Sequence, residues 1–202
     1  MDKEKELIIK KHVINKKFYE RDPLEVAKDI LGCYLIRRTE DDLIISRIVE
    51  VEAYKKDDPA CHAYKGKTKR SITLFKEPGL SYVYLVYGMY NCINVVTEKI
   101  EVPSAILIRA VEPISENCSN NTNGPGKLCK ALNITKTHNE IDLTSFESCI
   151  FIVNKSANLL DKEVNNKNTE LEIIQTTRIG ISQAVDYPWR FYIKNNKYVS
   201  KK

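Results

Sequence analysis

The segment Arg47-Ile-Val-Glu-Val-Glu-Ala-Tyr54 places two carboxylates, Glu50 and Glu52, inside a stretch that otherwise reads as β-strand. Side chains alternate across a strand, so Ile48, Glu50, Glu52 and Tyr54 are expected to share one face. Paired acids on an apolar strand have two readings. They are solvated on an exposed edge, or one of them is a general base held in a cleft. Arg109 poses the complementary question, because it sits within the apolar run Ala105-Ile-Leu-Ile-Arg-Ala-Val111. A buried guanidinium is costly unless paired, and Glu50 or Glu52 is its obvious partner. Asn94, flanked by Ile93, Val95 and Val96, is a hydrogen-bonding group where an apolar one would pack better.

Two further clusters have chemistry to offer. Tyr82, Tyr84, Tyr87 and Tyr90 crowd into one β-rich stretch, Leu80 to Val96. Cross-strand aromatic packing is the ordinary explanation. Tyr87 beside Gly88, however, falls at the expected tip of a hairpin, where packing partners are scarce. An exposed aromatic there could wedge between bases or stack on an unpaired one. The run Lys65-Gly-Lys-Thr-Lys-Arg70, just after His62, is a solvated loop or a phosphate clamp built from Lys65, Lys67, Thr68, Lys69 and Arg70.

The elements that must position these groups can be read along the chain. Residues 1–17 are Lys-rich and are expected to form a frayed arm, followed by one domain over residues 18–202. Asp22-Pro23 marks a helix start, Leu24, Ala27, Ile30 and Leu31 give it an apolar face, and Gly32 ends it. Strands are expected at 33–36, 44–54, 105–111, 149–153, 171–176 and 190–194, with a hairpin over 80–96. A helical turn is expected at 71–75, a short helix at 126–132 and a polar turn region at 161–169. Many strands with few helices indicate an α+β or β-rich domain.

Composition narrows the function. With 43% hydrophobic and 29% charged residues, the 202-residue chain has a globular balance and not that of a disordered one. No apolar run is long enough for a membrane span, and the N-terminus lacks an apolar signal region, so a cytoplasmic protein is expected. The six cysteines make no C-x-x-C pair, so neither a metal site nor a redox dithiol is expected. The glycines form neither a dinucleotide fingerprint nor a P-loop, so no nucleotide cofactor is expected. A formal charge of +5 fits a polyanionic partner without demanding one.

Taken in order, LGCYLIRR, RIVEVEAY, CHAYKGKTKR, PGLSYVYLVYGMYNCINVV, AILIRAVEP, GPGKLCKALNI and PWRFYIKNNKYVS resemble the alkyladenine (3-methyladenine) DNA glycosylase family, from about Phe18 to Ser200. The resemblance implies a single mixed α+β domain around a curved antiparallel β-sheet, with a protruding β-hairpin and short peripheral helices. It implies a monofunctional enzyme of base excision repair that acts on double-stranded DNA; no cofactor is expected, a monomer is the default expectation, and the location expected is the cytoplasm, at the nucleoid in a prokaryote. Such an enzyme flips a damaged purine out of the duplex and hydrolyses its N-glycosidic bond, leaving an abasic site.

By matching positions, Glu52 resembles the base that activates water, with Arg109 and the carbonyl of Ile179 as the other water contacts. Tyr54 and Tyr84 would stack on the flipped base, His62 would complete the pocket, Asn94 would read the purine edge, and Tyr87 would fill the vacated stack. Lys127, like the 65–70 run, would meet phosphate. The family often carries a basic helix after Glu112-Pro113. Here ISENCSNNTN stands instead, with no Lys or Arg, so fewer phosphate contacts are expected on that side. Two other readings remain. A non-catalytic nucleic-acid-binding module of the same fold would not need Glu52. A nucleoside hydrolase would need neither the wedge nor the basic loop.

Overall fold

The computed structural model describes residues 3–40, 42–159 and 171–200; the polar turn expected at 161–169 lies outside them. Helices α1 (Lys3–Lys11), α2 (Lys16–Tyr19), α3 (Pro23–Ile30) and α4 (Pro125–Ala131) surround strands β1 (Tyr34–Arg38), β2 (Leu43–Tyr54), β3 (Ser81–Val86), β4 (Tyr90–Val96), β5 (Ala105–Pro113), β6 (Ile150–Val153), β7 (Ile173–Thr176) and β8 (Arg190–Ile193). The strands form one curled antiparallel sheet in the order β3-β4-β5-β2-β1-β6, with β8 also on β2 and β7 on β8. The α+β reading therefore holds.

The twelve-residue β2 is the axis of the molecule. It pairs with β5 along 46–54, while β1 takes its first half (43–47) and β8 its second (50–52). Both edges are thus used, and Glu50 and Glu52 are fully buried. The exposed-edge reading of the two acids is overturned, because β8 covers the half of the strand that carries them. The register against β5 slips on both sides of Glu50, a bulge that bends the strand there.

The helix after Asp22 forms as expected. The Asp22 carboxylate accepts from the Leu24 N–H at 2.8 Å, and Val26, Ala27 and Ile30 are buried in the main core with Ile48, Val51 and Ile108. At Gly32, φ is +86°, a conformation that favours glycine, and an added Cβ would lie 2.6 Å from the end of the Leu171 side chain, which would have to shift.

The expected fraying of residues 1–17 is not what the described part shows. Residues 3–11 are helical, Ile9 is buried in a second apolar cluster with Tyr34, Ile36, Phe151 and Val153, and Val13 bridges to Val153. Burial of Ile9 and Ile14 outweighs the poor intrinsic stability of a short lysine-rich helix.

The hairpin of β3 and β4 closes through Tyr87 (φ +51°) and Gly88 (φ +70°), with the Met89 N–H donating to the Val86 carbonyl at 3.2 Å. Positive φ at both central residues is the two-residue turn that suits a twisted hairpin. Gly88 adopts it freely. Tyr87 does so at a cost of about 1–3 kcal/mol, and its ring is 85% exposed.

Candidate active site

A cavity of about 360 Å³ opens where β2, β3, β4 and β5 meet the 179–181 turn, a size usual for a small-molecule site, roughly 300–1,000 Å³. Its walls include Tyr54, His62, Arg70, Tyr84, Tyr87, Asn94, Arg109 and Ile179. Eight of the residues singled out from the sequence are thus brought together from segments far apart in the chain.

Glu52 lies directly behind this lining. Its Oε1 accepts from the Ile179 backbone N–H at 2.7 Å and faces Arg109 Nη1 at 3.2 Å. Its Oε2 accepts from the Tyr54 hydroxyl at 2.8 Å. Arg109 Nη1 also donates to the Ile179 carbonyl at 3.4 Å. Carboxylate, guanidinium and carbonyl therefore converge.

Burial raises the Glu52 carboxyl above its ordinary value of 4.5; Arg109, the Ile179 N–H and the Tyr54 hydroxyl oppose this, and Glu50 adds to it. Arg109 favours the ionised form, but burial is the larger effect. A base works deprotonated, so activity that depends on Glu52 rises with pH through this elevated value. Tyr54→Phe removes one of the bonds that lower it. The acid limb of a single-turnover pH–rate profile is expected to move further upward, with the ring's stacking surface kept; an unmoved limb would show that the hydroxyl does not tune Glu52.

The aromatic groups are locked by their neighbours. The Arg178 guanidinium lies 4.6 Å from the Tyr54 ring centroid, covering one face of that ring. Tyr84 packs edge-on to His62 at 4.6 Å and carries Arg70 over its ring at 5.1 Å. His62 Nδ1 is 2.9 Å from the Tyr82 hydroxyl, and burial with nearby Arg70 lowers its pKa to about 4, so the imidazole is neutral at neutral pH. Asn94 is buried, and its Nδ2 donates to the Tyr82 carbonyl at 2.9 Å. Cys61 and Cys92 also line the cavity; burial pushes both thiols up to about 11, which keeps them protonated.

The family model for methylpurine-DNA glycosylase matches residues 17–197 of this chain. The chain belongs to the methylpurine-DNA glycosylase family. A protein of Carboxydothermus hydrogenoformans is 44% identical over 201 residues, covering 94% of this chain and all (100%) of that protein. One of Clostridium novyi is 46% identical over 213 residues, covering 94% and 98%. One of Francisella tularensis is 43% identical over 194 residues, covering 89% and 94%. The names of all three assign them provisionally as 3-methyladenine DNA glycosylases.

The basic run of this methylpurine-DNA glycosylase family member does not act as a block. Arg70 belongs to the cavity, and Lys67 pairs with Glu101 at 2.5 Å. The Thr68 hydroxyl accepts from the Ser71 N–H at 3.1 Å, while the Thr68 N–H donates to Ser71 Oγ at 2.9 Å, a local staple that shapes the loop. Lys65 and Lys69 are exposed. Lys127, in the first turn of α4, donates to Asn123 at 2.9 Å.

Sequence reasoning missed several supports. Asp58 receives both terminal nitrogens of Arg178, one at 2.9 Å, and Arg178 also donates to the Ala53 carbonyl at 3.0 Å. Glu50 accepts from Arg109 and Arg190. The only local signal was charge in apolar company, as at Arg109. The hydroxyl role of Tyr54 had no sequence signal beyond its place two residues after Glu52.

Proposed function

We propose that this protein removes damaged purines, alkylated ones foremost, from double-stranded DNA by hydrolysing the N-glycosidic bond and leaving an abasic site. The observation that carries the reading is the convergence of Glu52, Arg109 and the Ile179 carbonyl at the wall of a tyrosine-lined cavity. Family membership supports the reaction class.

The geometry makes chemical sense of it. Typical glycosidases need two carboxyl groups because a sugar leaving group must be protonated. A purine alkylated at N3 or N7 is already cationic and leaves readily, so one base suffices. Glu52 takes a proton from water, and Arg109 with the Ile179 carbonyl orients that water. The carboxylate also stabilises the positive charge that develops on the sugar. A flipped base stacks on the face of Tyr54 opposite Arg178, with Tyr84 across the cavity and Asn94 at the purine edge. Flipping costs a few kcal/mol, least for damaged or mispaired bases. Among the described residues no lysine lines the cavity, so no amine is placed there to form an imine with the sugar, which supports hydrolysis without a lyase step.

Tyr87 is the group that fills the vacated stack. Its ring is exposed on a turn whose φ a tyrosine rarely adopts, which is expensive unless the ring is used. Tyr87→Asn relieves the strain, so melting is expected to hold or rise, by about 1 kcal/mol of stability. Excision from duplex is expected to fall roughly 5- to 150-fold, the value of a lost stacking contact of about 1–3 kcal/mol. Unchanged excision would remove Tyr87 from the mechanism.

The direct test is single-turnover excision from duplex oligonucleotides carrying one 7-methylguanine, hypoxanthine or 1,N6-ethenoadenine, followed by alkaline cleavage of abasic sites. Cleavage at one or more lesions is expected. Tight binding with no cleavage at any lesion would favour a non-catalytic binding module instead.

A further inference from the structure

Glu50 is fully buried on β2 and accepts four hydrogen bonds. Arg109 Nε at 3.3 Å, Arg190 Nη1 at 2.8 Å and Ser200 Oγ at 2.9 Å donate to its Oε1; the Ser200 backbone N–H donates to its Oε2 at 2.7 Å. A second acid beside the first is electrostatically unfavourable, since Glu50 pushes the Glu52 carboxyl up. Neutralising Arg109 does not require it either, because Glu52 is already within 3.2 Å of that guanidinium. What Glu50 adds at Arg109 is direction.

We propose that Glu50 is a positioning residue for Arg109, and that Ser200, near the chain's end, is part of the device. The inference rests on Glu52 and Arg109 acting as described under the proposed function. A guanidinium is a rigid plane. Gripping it at Nε fixes that plane and so fixes where Nη1 sits, between Glu52 Oε1 and the Ile179 carbonyl. Released at Nε, the head group can swing on its long stem into the cavity it lines.

The second arm of the device is Arg190. Its Nη1 binds Glu50 while its Nε donates to the Thr177 carbonyl at 3.0 Å, two residues before Ile179. One carboxylate thereby sets the position of both remaining water contacts, the guanidinium and the turn that carries the carbonyl. Ser200 completes the cradle. It follows buried Val199, and the segment is tied down by the Tyr198 hydroxyl, 3.2 Å from Asn120 Oδ1. The hydrogen bonds of Ser200 go to Glu50, which is neither the proposed base nor part of the cavity lining, so its substitution reports on Glu50.

The test compares Ser200→Ala, Ser200→Thr, Glu50→Gln and Glu52→Gln in single-turnover excision of the best lesion duplex, with duplex affinity, melting and pH profile alongside. Ser200→Ala is expected to slow excision ~2- to 10-fold, the value of one hydrogen bond, with affinity and melting near wild type. Ser200→Thr, which keeps the hydroxyl, is expected to restore the rate. Glu50→Gln is expected to lose ~10-fold or more; removing its charge alone would lower Glu52, but Arg109 has the larger influence, so its displacement is expected to win and move the acid limb to higher pH.

Rates and pH profiles unchanged in Ser200→Ala and Glu50→Gln would overturn the proposal. So would losses that track affinity or the folded fraction, or a Ser200→Thr as slow as the alanine variant. If Glu50→Gln does not fold, the Ser200 pair decides. An inactive Glu52→Gln beside a fully active Ser200→Ala defeats the positioning role alone; a fully active Glu52→Gln defeats the assignment of the base and this inference with it.

Discussion

Glu52→Gln is expected to keep binding a lesion duplex and to lose roughly 10²- to 10⁴-fold in single-turnover excision, the range attributed to a positioned general base. The amide is nearly isosteric, so one oxygen can still accept from the Ile179 N–H or the Tyr54 hydroxyl. It cannot take a proton from water, nor balance the charge growing on the sugar. Glu52 is buried behind the cavity lining and is not a DNA-contacting surface group, so affinity should change little. The comparison to make is excision rate against affinity on one duplex. Parallel losses of both would mean that Glu52 holds the fold and not the water. Equal rates in variant and wild type would show that another group activates the nucleophile.

Asp58→Ala should give the largest loss of stability. Asp58 and Arg178 are both buried, joined through two terminal nitrogens of the guanidinium, and the Asp58 carboxylate also accepts from the Ala60 N–H at 3.0 Å. Removing the acid strands a guanidinium away from water, at a cost of about 3–5 kcal/mol. For a domain of this size that corresponds to a melting temperature lower by roughly 6–20 °C. The double variant Asp58→Ala/Arg178→Met should recover much of the loss, since the unpaired charge is then gone. Its activity should stay low, because Arg178 is also what backs the Tyr54 ring and holds the Ala53 carbonyl. A melting shift under about 2 °C would mean that water or another acid reaches Arg178.

How far the sequence reveals this molecule depends on the range of each interaction. The β3–β4 hairpin and its tip were legible because turn chemistry and strand composition are local. The helix from Pro23 was legible through its cap and apolar face. The fate of Glu50 and Glu52 was not. Alternation says which residues share a face of β2, but not whether a strand from the far end of the chain covers them, and β8 does. The Asp58–Arg178 pair spans 120 residues and leaves no periodic trace. The α1 helix was hidden for the opposite reason, since its lysines dominate the composition while Ile9 alone makes the decisive contact. At the site, residue types were legible and their supports were not. Tyr54, Tyr84 and His62 announce aromatic rings, whereas the guanidinium behind Tyr54 and the hydroxyl of Tyr82 on His62 exist only in three dimensions.

Around the cavity, three carboxylates (Glu50, Glu52, Asp58) face three guanidiniums (Arg109, Arg178, Arg190), all six buried. This interior is electrically balanced and shut away from counterions. Exposed lysines such as Lys65 and Lys69 have neither property, so added salt would weaken any hold they have on phosphate steeply, while buried pairs are screened far less. Capture and bond breaking therefore answer to different solvents. On the function proposed above, raising ionic strength is expected to shorten residence on DNA, while single-turnover release of a base held between Tyr54 and Tyr84 is expected to keep its rate.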